Sequence, residues 1–376
     1  MEEKEIVNQF KETAANSLDY LQHWKSRTGR KILGYFCTNT PEEIIHAAGF
    51  LPVRILSAPT TVSLSAKHLQ SYSCSLVQCS LEAALRGDLS FLDGTVFPHT
   101  CDSIQRLSDI WAENLRFSFH WDVVLPVKLH TESARTYLIQ ELARFRTGLE
   151  EFAGHPISDE DLKKSIALFN ENRALLRELY HRRMVNPQLF TAGEILSIVQ
   201  CASFMPKEEF NAKLKKLLGA PVSAHPAADR KLRLFIAGSV CNQALVFDLF
   251  DNCGAVVVGD DLCTGWRYFS EDAEANGSPL EALAGRLIRR VPCPCKHNPA
   301  LDRGDDLLRR VEEAQAHGVI FLLLKFCDPH AFDYPYLKDR LAAKKIPSLL
   351  LEIEPGSMPL GALDTRLKAF IETLGG

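Results

Sequence analysis

The residues most able to do chemistry in this chain are its eleven cysteines. Four of them stand just past strand-like apolar runs: Cys101 after GTVFPHT, Cys241 after LRLFIAGSV, Cys263 after AVVVGDDL and Cys327 after GVIFLLLKF. Open parallel sheets bind ligands at the carboxyl ends of their strands. Soft thiolates gathered there from separate elements suit a metal or iron–sulfur centre. An odd number of cysteines fits free or metal-bound thiols better than a complete set of disulfides.

A buried free cysteine is ordinarily a small apolar side chain, so the argument lies in the constellation. Cys101 precedes Asp102 and Cys327 precedes Asp328-Pro329, each at a strand-to-helix junction where amides favour thiolate. Cys74 lies on or just before a helix in YSCSLVQC. Three such ligands could leave one iron of a cluster open to substrate. Cys79 follows Cys74 by five residues, about 140° round a helix, so the two do not easily reach one small cluster. Cys37 and Cys263 sit at strand ends and could join a larger one. Cys293 and Cys295 form a C-x-C pair in a loop that matches no zinc pattern built on C-x₂₋₄-C pairs. They and Cys241 stay open as ligands or packing residues, and Cys201 and Cys253 read as packing. His99, His330 and His46 lie beside these motifs, either as structural histidines or as proton donors. Glu42 and Glu43 read as acids of a helix start.

The elements that must position these residues follow from periodicity. Residues 4–26 read as one amphipathic helix. KILGYFC, LPVRIL, GTVFP and DVVLPV read as strands, with helices over 41–49, 66–86 and 102–114. Thr40 is the expected N-cap of the first of these, with Pro41 at its first position. Residues 132–218 lack strand alternation and read as helical, and APVSAHPAADRK reads as a linker. LRLFIAG, AVVVG, GVIFLLL and SLLLEI are the next strands, with helices over 242–252, 278–288, 334–343 and 361–374. Strands alternating with helices predict an α/β chain with parallel, doubly wound sheets. The expected division is an N-terminal helix (1–30), a first α/β domain (31–131), a helical insertion (132–220) and a second α/β domain (221–376).

Composition narrows the function. The chain is 46% hydrophobic and 24% charged, with a net charge of −4. No long basic block is present, which argues against nucleic acid as a partner. No apolar run approaches the ~20 residues that cross a bilayer. The acidic N-terminus carries no apolar signal segment, so a reducing, cytoplasmic setting is expected. G-x-x-x-x-G-K-[ST], G-x-G-x-x-G, G-x-S-x-G and H-E-x-x-H are all missing. An ordinary kinase, dehydrogenase or serine hydrolase would need one of them.

GYFCTNTPEEIIHAAGFLPVRI, YSCSLVQCSLEAALRGDLSFLDGTVFPHTCDSIQRLSDIW, GDDLCTGWRYF and LKFCDPHAFDYPYLKDRL resemble the 2-hydroxyacyl-CoA dehydratase and benzoyl-CoA reductase family, which includes double-cubane cluster proteins. The resemblance runs from about residue 30 to 372. It implies two Rossmann-like domains with helical additions. It places the ligands of a 4Fe–4S cluster on Cys74, Cys101 and Cys327, near the thioester of an acyl-CoA. It implies a homologous second subunit and a separate ATP-dependent iron–sulfur activator that supplies a low-potential electron. In a dehydratase that electron makes a ketyl radical which expels the hydroxyl group. The double-cubane relatives, which are homodimers holding an 8Fe–9S cluster on six cysteines, are matched at Cys37, Cys74, Cys101, Cys263 and Cys327. Cys79 would have to stand in for the sixth. Such a protein would reduce small molecules or transfer electrons. A third expectation is a non-catalytic partner subunit.

Overall fold

A computed structural model describes residues 2–56, 61–220, 232–274, 277–290, 293–354 and 359–375. The first half begins with α1 (Glu2–Ala15) and α2 (Ser17–Thr28). It continues through β1 (Ile32–Tyr35), α3 (Glu42–Ala47), β2 (Leu51–Arg54), α4 (Ser75–Arg86), β3 (Gly94–Pro98), α5 (Asp102–Asn114) and β4 (Phe119–Val123). Four helices follow: α6 (Glu132–Ala153), α7 (Asp159–Val185), α8 (Ala192–Ala202) and α9 (Lys207–Gly219). The second half runs β5 (Arg233–Gly238), α10 (Ala244–Asn252), β6 (Val256–Asp261), α11 (Trp266–Phe269), α12 (Pro279–Arg289) and α13 (Arg303–Glu313). It closes with β7 (Gly318–Leu324), α14 (Asp328–Ala343), β8 (Ser348–Ile353) and α15 (Leu360–Gly375).

The strands form two four-stranded parallel sheets, ordered β2-β1-β3-β4 and β6-β5-β7-β8. This is the α/β architecture of two Rossmann-like domains expected from the sequence. Every residue of β1, β3, β6 and β7 is buried. Their near-continuous apolar runs are what a parallel strand covered on both faces requires. Both sheets use the same order. In each, the chain turns outward to opposite sides between the first and third strands, and that switch point opens a crevice at the carboxyl edge. At this edge β5 and β7 come close. Gly238 has φ 142°, and a Cβ there would lie 2.0 Å from the carbonyl oxygen of Leu322.

The halves interlock. Helix α7 packs on α3 and α9 and also on α11 and β6. Buried Glu42 of α3 accepts hydrogen bonds from Tyr35 of β1 (2.8 Å) and Tyr268 of α11 (3.1 Å), with Lys207 Nζ at 3.7 Å.

Several local expectations are corrected. The N-terminal helix is two helices, broken at Asn16, whose side-chain amide donates to the Glu12 carbonyl at 2.9 Å. Thr40 does not cap α3; its hydroxyl turns back to the Phe36 carbonyl at 2.6 Å and Pro41 takes the capping position. The helix expected over 66–86 starts only at Ser75, after a short 3₁₀ turn at Ser65–Lys67. Glu82 accepts from the amides of Ser63, Leu64 and Ser65, which fixes the chain where it enters that turn. β4 starts earlier than the DVVLPV run and takes in only its first two residues, Asp122 and Val123. The helix expected from Tyr334 already begins at Asp328 and carries Pro335 inside it. Helix α13, unread in the sequence because only a narrow stripe of it is apolar, is capped by Asp302, which accepts from the Asp305 amide at 2.8 Å. The APVSAHPAADRK linker falls almost wholly outside the described residues.

Candidate metal centre

Three cysteines occupy the same local position on three helices. Cys74, Cys101 and Cys327 are the N-cap residues of α4, α5 and α14. Cys101 and Cys327 are also topological equivalents, each following the third strand of its sheet. The amides of Leu76 and Val77 bear on the Cys74 sulfur, that of Ile104 on Cys101 and that of His330 on Cys327. Amides at a helix N-terminus favour negative charge. The three sulfurs are neighbours: Cys74 feels Cys101, and Cys327 feels both. Burial pushes the Cys74 thiol up to about 12 and raises Cys327, the neighbouring Cys74 sulfur adding to the effect there.

A second set lies beside the first. Cys37, one residue past the Phe36 that follows β1, has φ 58°. Phe326, directly before Cys327, has φ 62°. Left-handed conformations in non-glycine residues cost about 1–3 kcal/mol and cluster at functional sites. The Asn39 side-chain nitrogen lies 3.6 Å from Cys37 Sγ and 4.0 Å from Cys293 Sγ. Burial raises Cys37, and the sulfurs of Cys293 and Cys263 raise it further. Cys295 joins the sets by hydrogen bonds with Cys101 and Cys293. As donor to both it lowers their pKa values, that of Cys293 to about 5, while its own rises.

Buried cations back these thiols. Arg267 is held by Asp261 through two bonds of 2.8 and 2.7 Å. Its Nη1 lies 3.4 Å from Cys263 Sγ and 2.8 Å from His330 Nε2. Arginine only donates, so Nε2 accepts and the ring proton sits on Nδ1, 3.3 Å from Cys327 Sγ. Burial, then the charges of Arg267 and Arg303, hold His330 well below the usual histidine range, so the ring is neutral. Arg54 donates to the Cys263 carbonyl at 2.7 Å. Arg290 donates to the carbonyl and hydroxyl of Thr38, both at 2.8 Å, and to the Arg267 carbonyl at 2.7 Å.

Of the cysteines singled out in the sequence, Cys37, Cys74, Cys101, Cys263 and Cys327 come together. Cys79 lies buried on α4 with Glu82 as its charged neighbour. Cys241 is buried in the second-half core, and Cys201 donates to the Phe10 carbonyl. His46 bonds Ser165 and Glu208, away from the thiols, and His99 pairs with Asp122 at 3.3 Å. Sequence reading left Cys293 and Cys295 open and did not single out Arg54, Arg267 or Arg290. Spacing could have flagged the C-x-C pair; nothing local could have flagged the arginines.

The donor chemistry fits an iron–sulfur cluster: thiols from both halves, helix-terminal amides and buried cations to offset thiolate charge. Among the described residues no three such side chains close on a single metal ion.

The family described as 2-hydroxyglutaryl-CoA dehydratase, D-component, matches residues 37–374. The chain belongs to this family. It is 27% identical over 372 residues to the (R)-phenyllactyl-CoA dehydratase beta subunit of Clostridium sporogenes, covering 98% of each chain. It is 29% identical over 373 residues to the lactoyl-CoA dehydratase subunit beta of Anaerotignum propionicum, again 98% of each. It is 28% identical over 362 residues to a benzoyl-CoA reductase subunit of Thauera aromatica, covering 94% of this chain and 93% of that one. Strands β2 to β8 and every gathered thiol lie inside the family match, with Cys37 as its first residue and β1 just ahead of it. Among the described residues no helix is long and apolar enough to cross a membrane.

Proposed function

We propose that this chain is the iron–sulfur subunit of a 2-hydroxyacyl-CoA dehydratase or benzoyl-CoA reductase type enzyme. The observation that carries it is the convergence of Cys74, Cys101 and Cys327, each capping a helix at a sheet's carboxyl edge. An iron–sulfur cluster held there would supply a low-potential electron to the thioester of an acyl-CoA. The chain's own residues would bind the cluster, turn helix-terminal amides onto its thiolates, and shield it from water. His330 would present its Nδ1 proton to the Cys327 sulfur rather than to solvent.

The reading includes two partners. Each of the three relatives is a subunit of its enzyme, which supports a homologous second subunit here. Tyr72, Phe326 and Phe332 are exposed at 65%, 40% and 85% and flank Cys74 and Cys327 in the chain. Exposed aromatic surface of this kind is what a partner covers. The lack of a phosphate loop in this sequence is in keeping with ATP hydrolysis by a separate activator.

The test is anaerobic production with iron and sulfide, followed by metal analysis and spectroscopy. Bound iron and acid-labile sulfide, lost in Cys101→Ser, are the expected result, at about four irons per chain for a single cubane and about eight for the larger cluster. A colourless, iron-free protein after reconstitution rules the reading out. With iron bound, turnover of 2-hydroxyacyl-CoA against aromatic acyl-CoA, with activator and partner present, separates lyase from reductase. The grouping of Cys37 and Cys263 with Cys293 favours the larger 8Fe–9S alternative.

A further inference from the structure

The loop Cys293–His297 belongs by sequence to the second half but is stitched to the first. Lys296 Nζ donates to the carbonyls of His99 (3.2 Å) and Leu125 (3.1 Å). The Leu129 amide donates to the His297 carbonyl and the His297 amide to the Val127 carbonyl, both at 2.8 Å. Lys128 and His297 form a parallel bridge. These anchors hold Cys295 against Cys101, and Cys293 within reach of the Asn39 amide that also faces Cys37.

The thiols sort into two sets of three. One is Cys74, Cys101 and Cys327; the other is Cys37, Cys263 and Cys293, with Cys295 between them and with Cys263 beside Cys327 and Cys293 beside Cys101 where the sets meet. The second set is where the buried positive charge collects. Arg54 and Arg290 are each 5% exposed, and neither is paired with a carboxylate among the described residues. Among the described residues Arg54 Nε has no hydrogen-bond partner. Buried guanidinium groups without counter-charge are costly. Three thiolates in their midst supply it, and both arginines act electrostatically on these cysteines.

We propose that Cys293 is the sixth thiolate ligand of an eight-iron cluster, completing a second triad with Cys37 and Cys263. Cys79 has no part in it, and Cys295 stands at the junction of the two triads as a hydrogen-bond donor. This inference rests on the iron–sulfur reading above. It makes Arg54 and Arg290 positioning residues that stabilise the second triad without touching iron.

The full-length protein is reconstituted anaerobically as wild type and as Cys293→Ser, Cys293→Ala, Cys37→Ser and Cys79→Ser. Iron, acid-labile sulfide and electron paramagnetic resonance are read, with circular dichroism to confirm folding. The expected wild-type content is about eight irons per chain, falling about twofold in both Cys293 variants and in Cys37→Ser, and unchanged in Cys79→Ser. Arg290→Gln is expected to lower the iron content in the same direction as Cys293→Ser. Wild-type iron content in a folded Cys293→Ser protein overturns the proposal while leaving the iron–sulfur reading intact. So does a wild-type content of about four. A wild type that binds no iron overturns the underlying reading instead.

Discussion

Arg267 Nη1 donates to His330 Nε2 at 2.8 Å, and this bond fixes how the imidazole faces the thiols. With Nε2 occupied as acceptor, Nδ1 carries the proton and points it at Cys327 Sγ, 3.3 Å away. Hydrogen bonds to cluster sulfur favour the more negative, reduced state. His330→Ala in the iron-loaded protein is therefore expected to move the midpoint potential to a more negative value, with iron content retained. A redox titration followed by electron paramagnetic resonance reads this, and an unmoved midpoint rejects the role. His330→Gln, which keeps an N–H donor, is expected to restore part of the shift.

Asp261 is the counter-charge of three arginines. Arg267, Arg303 and Arg310 approach it to 2.7, 3.4 and 3.7 Å; Asp261, Arg267 and Arg310 are buried, and the Arg303 side chain is 8% exposed. Despite burial, these charges hold its carboxyl far below the usual range. Asp261→Ala leaves buried guanidinium groups uncompensated, a change that typically costs about 3–5 kcal/mol. Urea unfolding of the two proteins measures the difference; a loss under about 1 kcal/mol would show that water already neutralises the site.

Glu82 predicts an acid-sensitive step. Burial opposes its charge, yet the amides of Ser65, Ser63 and Leu64 and the Arg86 guanidinium bring it from an ordinary 4.5 to about 2. A depressed folded-state pKa contributes stability above the unfolded value, and that contribution is lost as pH falls through the folded one. The contribution, roughly 2–3 kcal/mol for a shift of this size, is thus full above pH 5 and gone near pH 2. Glu82→Gln is expected to be less stable than wild type at neutral pH and to converge with it between pH 4 and 2. Parallel stability curves across that range would remove Glu82 as the cause. The same carboxylate fixes the turn leading toward Cys74, so its loss is also expected to lower iron retention.

Gly238→Ala probes the carboxyl edge of the second sheet. The added methyl meets the Leu322 carbonyl oxygen at 2.0 Å. β5 and β7 must part there, and the strain falls on a φ of 142° that side chains avoid. The expected outcome is destabilisation of more than about 2 kcal/mol, seen as a lower thermal midpoint. Gly219→Ala, whose Cβ meets nothing within 4 Å, is the control and is expected to unfold like wild type.

The two sheets were legible because their signal is local. Runs such as GVIFLLL and LFIAG are apolar along their whole length, and each is followed within a few residues by a cysteine or a helix cap. Cys101 and Cys327 could be placed from that alone. A cap failed where a side chain took up backbone from elsewhere: Thr40 turned back on Phe36 instead of capping α3.

What the sequence determined by itself was the alternation of strands and helices, and with it the delivery of several thiols to the carboxyl edges. What only the tertiary structure decided was their company. Cys293 and Cys295 reach the first half because Lys296 bonds carbonyls 171 and 197 residues away. Arg290 meets Thr38 across 252 residues, and Arg54 meets Cys263 across 209. A strand or a cap is set by neighbours in the chain. A buried arginine facing a thiol depends on which distant backbone carbonyls accept its protons, and no local pattern of residues encodes that.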